Sequence, residues 1–387
     1  MRYRWAVLAA GTAAQTGAAV FGVGLPVIAP TLQGEFGLSI SQVGILLAAP
    51  WVGATVTLLP WGLAADRFGE RTALALGLGS SSLLLVGCAY APTFHDLIGL
   101  LALAGAAGSS VQSASGRAVM QWFGADERGL ALGIRQTSIP LGGLVAALTL
   151  PPIASAGGTE AAFVYLAVLS AAGALAGGAV IRTPAEMDAI EASTVLETLR
   201  DRRLWRLCFG GGIYLYAQVA ITGFGVLFLH DEYGLSERSA ALVFAASQVV
   251  AAGLRIAVGR WSDVLGSRIV PLRRVGVVIA GSLVLTAALV GASLWLLIPV
   301  LAVAGGLTMA WNGLVFTAAA EMAGPSRSGA AIGFQQTMLS GIGVAAPVLF
   351  AATVSRASWG LAFLIAAAFP LVGRALLRSM RDTSLRA

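Results

Sequence analysis

The sequence predicts an all-α polytopic membrane protein: twelve transmembrane helices in two pseudo-symmetric six-helix bundles. Three observations carry that prediction. The first is composition: of 387 residues, 57% are hydrophobic and 11% charged, with a mean hydropathy of +0.84. Soluble domains carry about 25% charge. The second is the recurrence of long apolar stretches, each near the roughly 20 residues a bilayer core requires. The third is a set of short blocks that recur in the same order in the two halves.

The apolar stretches read 5–30, 42–64, 72–91, 97–122, 129–153 and 160–182, then 205–229, 239–261, 275–293, 295–320, 329–354 and 357–377. The first follows Met-Arg-Tyr-Arg and runs from Trp5 to Gly34 without a charge. A signal h-region is about 7–15 residues, so this stretch reads as a retained first helix. The stretch 275–320 is too long for one span and divides near Ser293, with Leu294–Pro299 as a short turn and helix start. Helices are the expected element, because backbone polar groups in lipid must be satisfied locally. The alternating short strands of a barrel are absent. Domains are expected at 1–182 and 205–387, joined by a polar cytoplasmic linker at 183–204.

Composition also excludes whole classes. A soluble enzyme, a disordered segment or a fibrous protein does not fit so few charges. The net charge is +6, and all 24 basic residues are arginine. Sorted by predicted topology with the N-terminus inside, 19 arginines fall on inside segments and two, Arg238 and Arg356, outside. That asymmetry places both termini in the cytoplasm and accounts for the basic balance without nucleic acid. Cys88 and Cys208 have neither disulfide nor metal-ligand spacing, and His95 and His230 stand far apart with no nucleophile beside them in sequence. No phosphate loop or dinucleotide pattern is present, so no cofactor is expected.

The two halves repeat locally. Gly62, Asp66, Gly69 and Arg71 match Gly259, Asp263, Gly266 and Arg268 at an offset of 197. Glu35-Phe-Gly-Leu-Ser39 matches Glu232-Tyr-Gly-Leu-Ser236 at the same offset. Gly129, Gly133, Gln136 and Thr137 match Gly329, Gly333, Gln336 and Thr337 at an offset of 200. Three landmarks in one order indicate a duplicated six-helix unit.

The G-x-x-x-D-R-x-G-x-R run, which includes Arg67, resembles the signature of the major facilitator superfamily of secondary transporters. Trp122-Phe123 followed by Glu127-Arg128-Gly129 resembles that superfamily's junction between helices four and five. The chain departs from the pattern at Glu70, where a basic residue is usual, and at Val264. The resemblance implies a non-enzymatic transporter in a bacterial cytoplasmic membrane that moves a small solute by rocker-switch alternating access. The implied partners are the solute, the bilayer and an unassigned coupling ion, and a monomer suffices. The resemblance also implies that Asp66 faces the start of helix eleven and Asp263 the start of helix five. Those starts are the small-residue stretches at Gly329/Gly333 and Gly129/Gly133. An acid there would meet the positive end of a helix dipole and latch the cytoplasmic side.

Charges within spans are costly and usually functional. Arg117, Arg135 and Arg255 qualify, each about one to two turns from a cytoplasmic end. Two readings stand for them: they line a cavity, or they snorkel to the interface. The superfamily arrangement lines its cavity with helices one, four, seven and ten. Polar candidates there and beside Arg135 are Gln15, Gln112, Gln136, Gln218, Asn312, Gln335 and Gln336, with Tyr214, Tyr216 and Trp311 nearby in sequence. No Asp or Glu lies mid-span. Arginine without a buried acid suggests a small organic or inorganic anion as substrate. A multidrug or metabolite efflux antiporter is the alternative.

Overall fold

The computed structural model describes residues 2–123, 127–181, 200–324 and 328–380. The side chains of Asp66 and Arg117, the surroundings of Gly129 and Gly329, and all but the end of the 183–204 linker lie outside the described residues.

Every regular element among the described residues is helical. In the first half these are α1 (Arg2–Gly24), α2 (Ala29–Phe36), α3 (Ile40–Phe68), α4 (Glu70–Ala89), α5 (Phe94–Gly108), α6 (Ser110–Trp122), α7 (Arg128–Gln136) and α8 (Ser138–Val180). The second half holds α9 (Arg202–Gly212), α10 (Tyr214–Gln218), a π-turn at Val219–Gly223, α11 (Gly225–Tyr233) and α12 (Glu237–Leu265). It continues with α13 (Ile269–Ala288), α14 (Leu294–Thr308), α15 (Asn312–Ala323), α16 (Ser328–Arg356) and α17 (Trp359–Leu376).

Ten of these stretches are long and apolar enough to cross a membrane, and the bent pair Arg202–Gly223 with Gly225–Tyr233 makes an eleventh. The stretch Gly133–Val180 is one of the ten, yet at 48 residues it is twice the length a bilayer needs. Gly157 and Gly158 break it, Gly158 at φ 64, ψ −164. Its two arms bring the number of spans to twelve. The charge-free 275–320 stretch divides where expected, with α13 ending at Ala288 and α14 beginning after Ser293.

The chain forms two compact units: Met1–Leu38 with Ile45–Glu191, and Ser39–Gly44 with Ala192–Ala387. In the first, α1 packs on α8 and α6, and α4 packs on α8 and α5. Small residues permit this closeness. A Cβ on Gly53 would lie 1.8 Å from the Ala102 carbonyl oxygen, so α3 and α5 touch backbone to backbone. In the second unit α13 packs on α17 and α12 on α14, where Gly306 makes room for the Val250 side chain.

The repeated Glu-aromatic-Gly-Leu-Ser block does the same local work twice. Gly37 and Gly234 terminate α2 and α11 in the left-handed region, at φ 60 and 63. Ser39 and Ser236 then cap the next helix. Ser236 Oγ accepts from the Ser239 amide at 3.2 Å. Ser39 Oγ accepts from the Gln42 amide at 3.3 Å while Gln42 Oε1 accepts from the Ser39 amide at 2.9 Å.

Candidate functional site

The first unit gathers five polar side chains from three helices. Arg135 stands near the end of α7, where the helix meets α8 at Thr137, and is 1% exposed. Its Nε donates to Ser115 Oγ at 2.9 Å. One terminal nitrogen donates to the Val111 carbonyl at 3.4 Å, the Gln112 carbonyl at 3.2 Å and Gln112 Oε1 at 3.5 Å. Gln15 of α1 donates through Nε2 to Gln112 Oε1 at 3.3 Å and to Gln136 Oε1 at 3.5 Å. Every acceptor of Arg135 is neutral. Among the described residues the guanidinium forms no ion pair, so a full positive charge is buried among dipoles only.

Ser115 and Gly116 are the members that the sequence did not single out. Residues 112, 115 and 116 share one face of α6. A Cβ on Gly116 would lie 3.6 Å from the guanidinium carbon, so the glycine gives the planar group its room. The i, i+3, i+4 spacing from Gln112 was the available signal.

The second unit carries the equivalent positions, offset by 200, with different chemistry. Gln335 replaces Arg135 and is 1% exposed; among the described residues neither of its amide atoms has a hydrogen-bond partner. Asn312, the counterpart of Gln112, is buried, with Oδ1 unpartnered among the described residues. Gln218 Oε1 is likewise buried and unpartnered, immediately before the π-turn at Val219–Gly223. Asn312 follows the break in the tenth span at Met309–Trp311. Helix discontinuities of this kind accompany ligand sites in transporters, because unwound backbone and its neighbours present polar groups inside the membrane. Trp311 is fully buried, edge-on to Tyr214 at 6.0 Å. Tyr216 stacks on Phe369. Gln336 is half-buried one position beyond Gln335.

Arg255 takes a different position. Its Nε donates at 3.1 Å to the Met309 carbonyl, at the break in the tenth span, so it braces an irregular backbone segment.

The signature residues sit at the helix ends. Gly69 at φ 82 turns the chain into α4, and Gly266 at φ 61 ends α12. Gly62 and Gly259 have open space at their Cβ positions, as do Gly133 and Gly333. Arg67 lies over the Phe68 ring, and Arg71 is exposed. In the second copy Arg268 ties three groups of its own unit together. It donates to Ser262 Oγ at 2.7 Å, pairs with Asp263, and binds Glu321 at 2.9 Å. Burial opposes its charge, but the hydrogen bonds and charges of Glu321 and Asp263 outweigh burial and hold the guanidinium above its ordinary pKa.

The departure at Glu70 has a structural counterpart. Glu70 is fully buried at the first turn of α4, where a carboxylate meets the helix dipole, and Gln121 Nε2 donates to it.

Comparison with known proteins shows the family and the fold. The family model for the Major Facilitator Superfamily matches residues 9–347. An uncharacterized MFS-type transporter of Mycobacterium tuberculosis (strain ATCC 25618 / H37Rv) is 33% identical over 381 residues, 95% of this chain and 83% of that one. A hexuronate transporter of Bacillus subtilis (strain 168) is 24% identical over 231 residues, 57% of this chain and 55% of that one. A gallate transporter of Pseudomonas putida is 30% identical over 128 residues, 32% of this chain and 28% of that one. Among solved structures, a bacterial homolog of the human lysosomal transporter Spinster, in its inward-facing and unoccupied conformation, superposes with a TM-score of 0.79. It is 18% identical and covers 97% of this chain and 96% of that one. With its many apolar spans the chain is a multi-pass membrane transporter, and it belongs to the major facilitator superfamily.

Proposed function

We propose that the protein is a secondary transporter of a small organic anion and that Arg135 supplies the counter-charge during transit. One observation carries the reading: a fully buried guanidinium whose partners are all neutral. Burying an unmatched cation in a membrane protein costs about 2.5–3.5 kcal/mol on insertion scales. An anionic group in a bidentate pair would offset that cost and leave the hydrogen bonds to Ser115 and Gln112 as supports. Two relatives, a hexuronate transporter and a gallate transporter, add support, since both solutes carry a carboxylate.

Movement follows alternating access, with both termini cytoplasmic and the repeated Asp66 and Asp263 positions forming the cytoplasmic latch. The linker at 183–204 joins the two six-helix domains. The test is counterflow in proteoliposomes with a panel of small carboxylates, inorganic anions and cationic drugs. Arg135→Gln should reduce anion exchange at least about 100-fold, the scale of one lost charge-assisted pair. Arg135→Lys should retain a measurable part of it. Anion exchange unchanged in both Arg117→Gln and Arg135→Gln would end the anion reading. Exchange of cationic drugs alone would place the protein among efflux antiporters.

A further inference from the structure

Three helices of the second unit converge on Tyr214. A Cβ on Gly373 of α17 would lie 2.2 Å from the Gly210 carbonyl oxygen and 2.5 Å from the Tyr214 ring. A Cβ on Gly276 of α13 would lie 2.2 Å from the Tyr214 hydroxyl, which donates to the Leu272 carbonyl at 3.3 Å. The α9–α10 segment is therefore held in a slot between α13 and α17.

Arginines ring the arginine-rich end of that slot. Arg273 follows Leu272 and Arg374 follows Gly373, two residues that pack against Tyr214. Arg378 stands one turn beyond Arg374. Arg203 and Arg206 share the face of α9 that carries Gly210, the residue packed on Leu376 and Leu377. Among the described residues none of these five forms an ion pair. The nearby carboxylate, Asp201, caps α9 by accepting from the Arg203 backbone amide at 2.8 Å. Arg273 Nε is buried and among the described residues has no hydrogen-bond partner.

Excess arginine at the inside ends of spans follows from the positive-inside rule. That rule does not gather five onto one three-helix seam, where like charges repel at close range. We propose that this seam binds the phosphate headgroup of an anionic phospholipid. The position favours a lipid over a soluble anion: Phe209 and Leu371 are exposed about one turn deeper in the spans than Arg206 and Arg374, giving acyl chains an apolar wall below these charges. Basic clefts between helices at this level suit such headgroups.

The test uses the purified full chain in detergent, followed by intrinsic fluorescence on heating. Cardiolipin or phosphatidylglycerol should raise Tm by about 3–6 °C more than phosphatidylcholine does, as expected for a ligand well above its Kd. Inorganic phosphate at matched concentration should not. Arg273→Gln/Arg374→Gln should lose at least half of the anionic-lipid increment and keep the phosphatidylcholine response. Arg67→Gln/Arg71→Gln, in the other unit, should keep both. Should the double variant not fold, Arg378→Gln, an exposed position, should weaken the lipid titration midpoint about threefold. An increment retained in the seam variants, lost equally in the Arg67/Arg71 control, or reproduced by inorganic phosphate would overturn the proposal.

Discussion

The two halves place different residues at one repeated position, and the difference separates charge from polarity. Position 135 holds arginine, whose Nε and one terminal nitrogen donate to a serine hydroxyl, two carbonyls and a glutamine side chain. Position 335 holds glutamine, with both amide atoms unpartnered among the described residues. The duplicated unit supplied the same buried site twice. One copy keeps a charge at a desolvation cost and builds neutral supports around it. The other leaves neutral polar atoms bare. On the proposed reading, the charge kept in the first copy is held for the substrate.

The largest expected effect breaks that comparison directly. Arg135→Met removes the charge and keeps a long apolar side chain. Loss of the hydrogen bonds, about 1 kcal/mol each, is set against relief of a buried charge, so stability should change little. Anion exchange should fall at least about 100-fold while Tm moves by no more than about 2 °C. A collapse of Tm would show Arg135 to be a structural strut. Gln335→Met should instead raise Tm by about 2–4 °C, because burying an unpaired amide costs about 1 kcal/mol. A lower Tm would mean that the amide is satisfied in the protein.

Much of this was legible in the sequence, for identifiable reasons. Twelve apolar stretches were readable because lipid demands a length, and the division near Ser293 followed from the same limit. Gln15, Gln112, Arg135 and Gln136 could be nominated because polar groups are rare in such stretches. Their convergence on one buried network was not readable, since it depends on which faces of α1, α6 and α7 meet. Ser115 and Gly116 escaped notice because serine and glycine are ordinary in membrane helices. The role of Arg255 was hidden as well: its partner is a backbone carbonyl at a helix break, and no side-chain pattern announces that. Glu70 looked like a loop departure from the signature, and its burial against Gln121 required the tertiary fold.

A second comparison concerns how each half starts its sixth helix. In the second unit Ser358 caps α17 locally, with Oγ accepting from the Leu361 amide at 3.2 Å. The equivalent residue in the first unit, 200 positions earlier, is Gly158, which has no side chain to offer. Glu35 reaches over from α2 instead. Its carboxylate accepts from the Thr159 amide at 3.2 Å and the Thr159 hydroxyl at 2.8 Å. Glu232, the repeat of Glu35, is exposed and caps no helix among the described residues. Glu35→Gln should therefore lower Tm by about 2–4 °C, the scale of a weakened charge-assisted cap. Glu232→Gln should leave it unchanged. Equal effects would remove the asymmetry.

The smallest expected effect lies at the signature loops, where exposure screens charge. Arg71 is exposed and among the described residues makes no ion pair, whereas its repeat, Arg268, binds Ser262, Asp263 and Glu321. Its own side chain is mostly buried, but Asp263 is 65% exposed and Glu321 34%, so each pair taken singly is weak. The cluster matters because one planar guanidinium joins the end of α12 to the end of α15 through several donors at once. Arg268→Gln should lower Tm by about 1–2 °C at low salt, and that loss should shrink as ionic strength rises. Arg71→Gln should do neither. If Arg268→Lys restores full stability, charge alone explains the cluster. If it does not, the fork geometry of arginine is what the second copy of the signature retains, and the two copies differ in mechanics as well as in sequence.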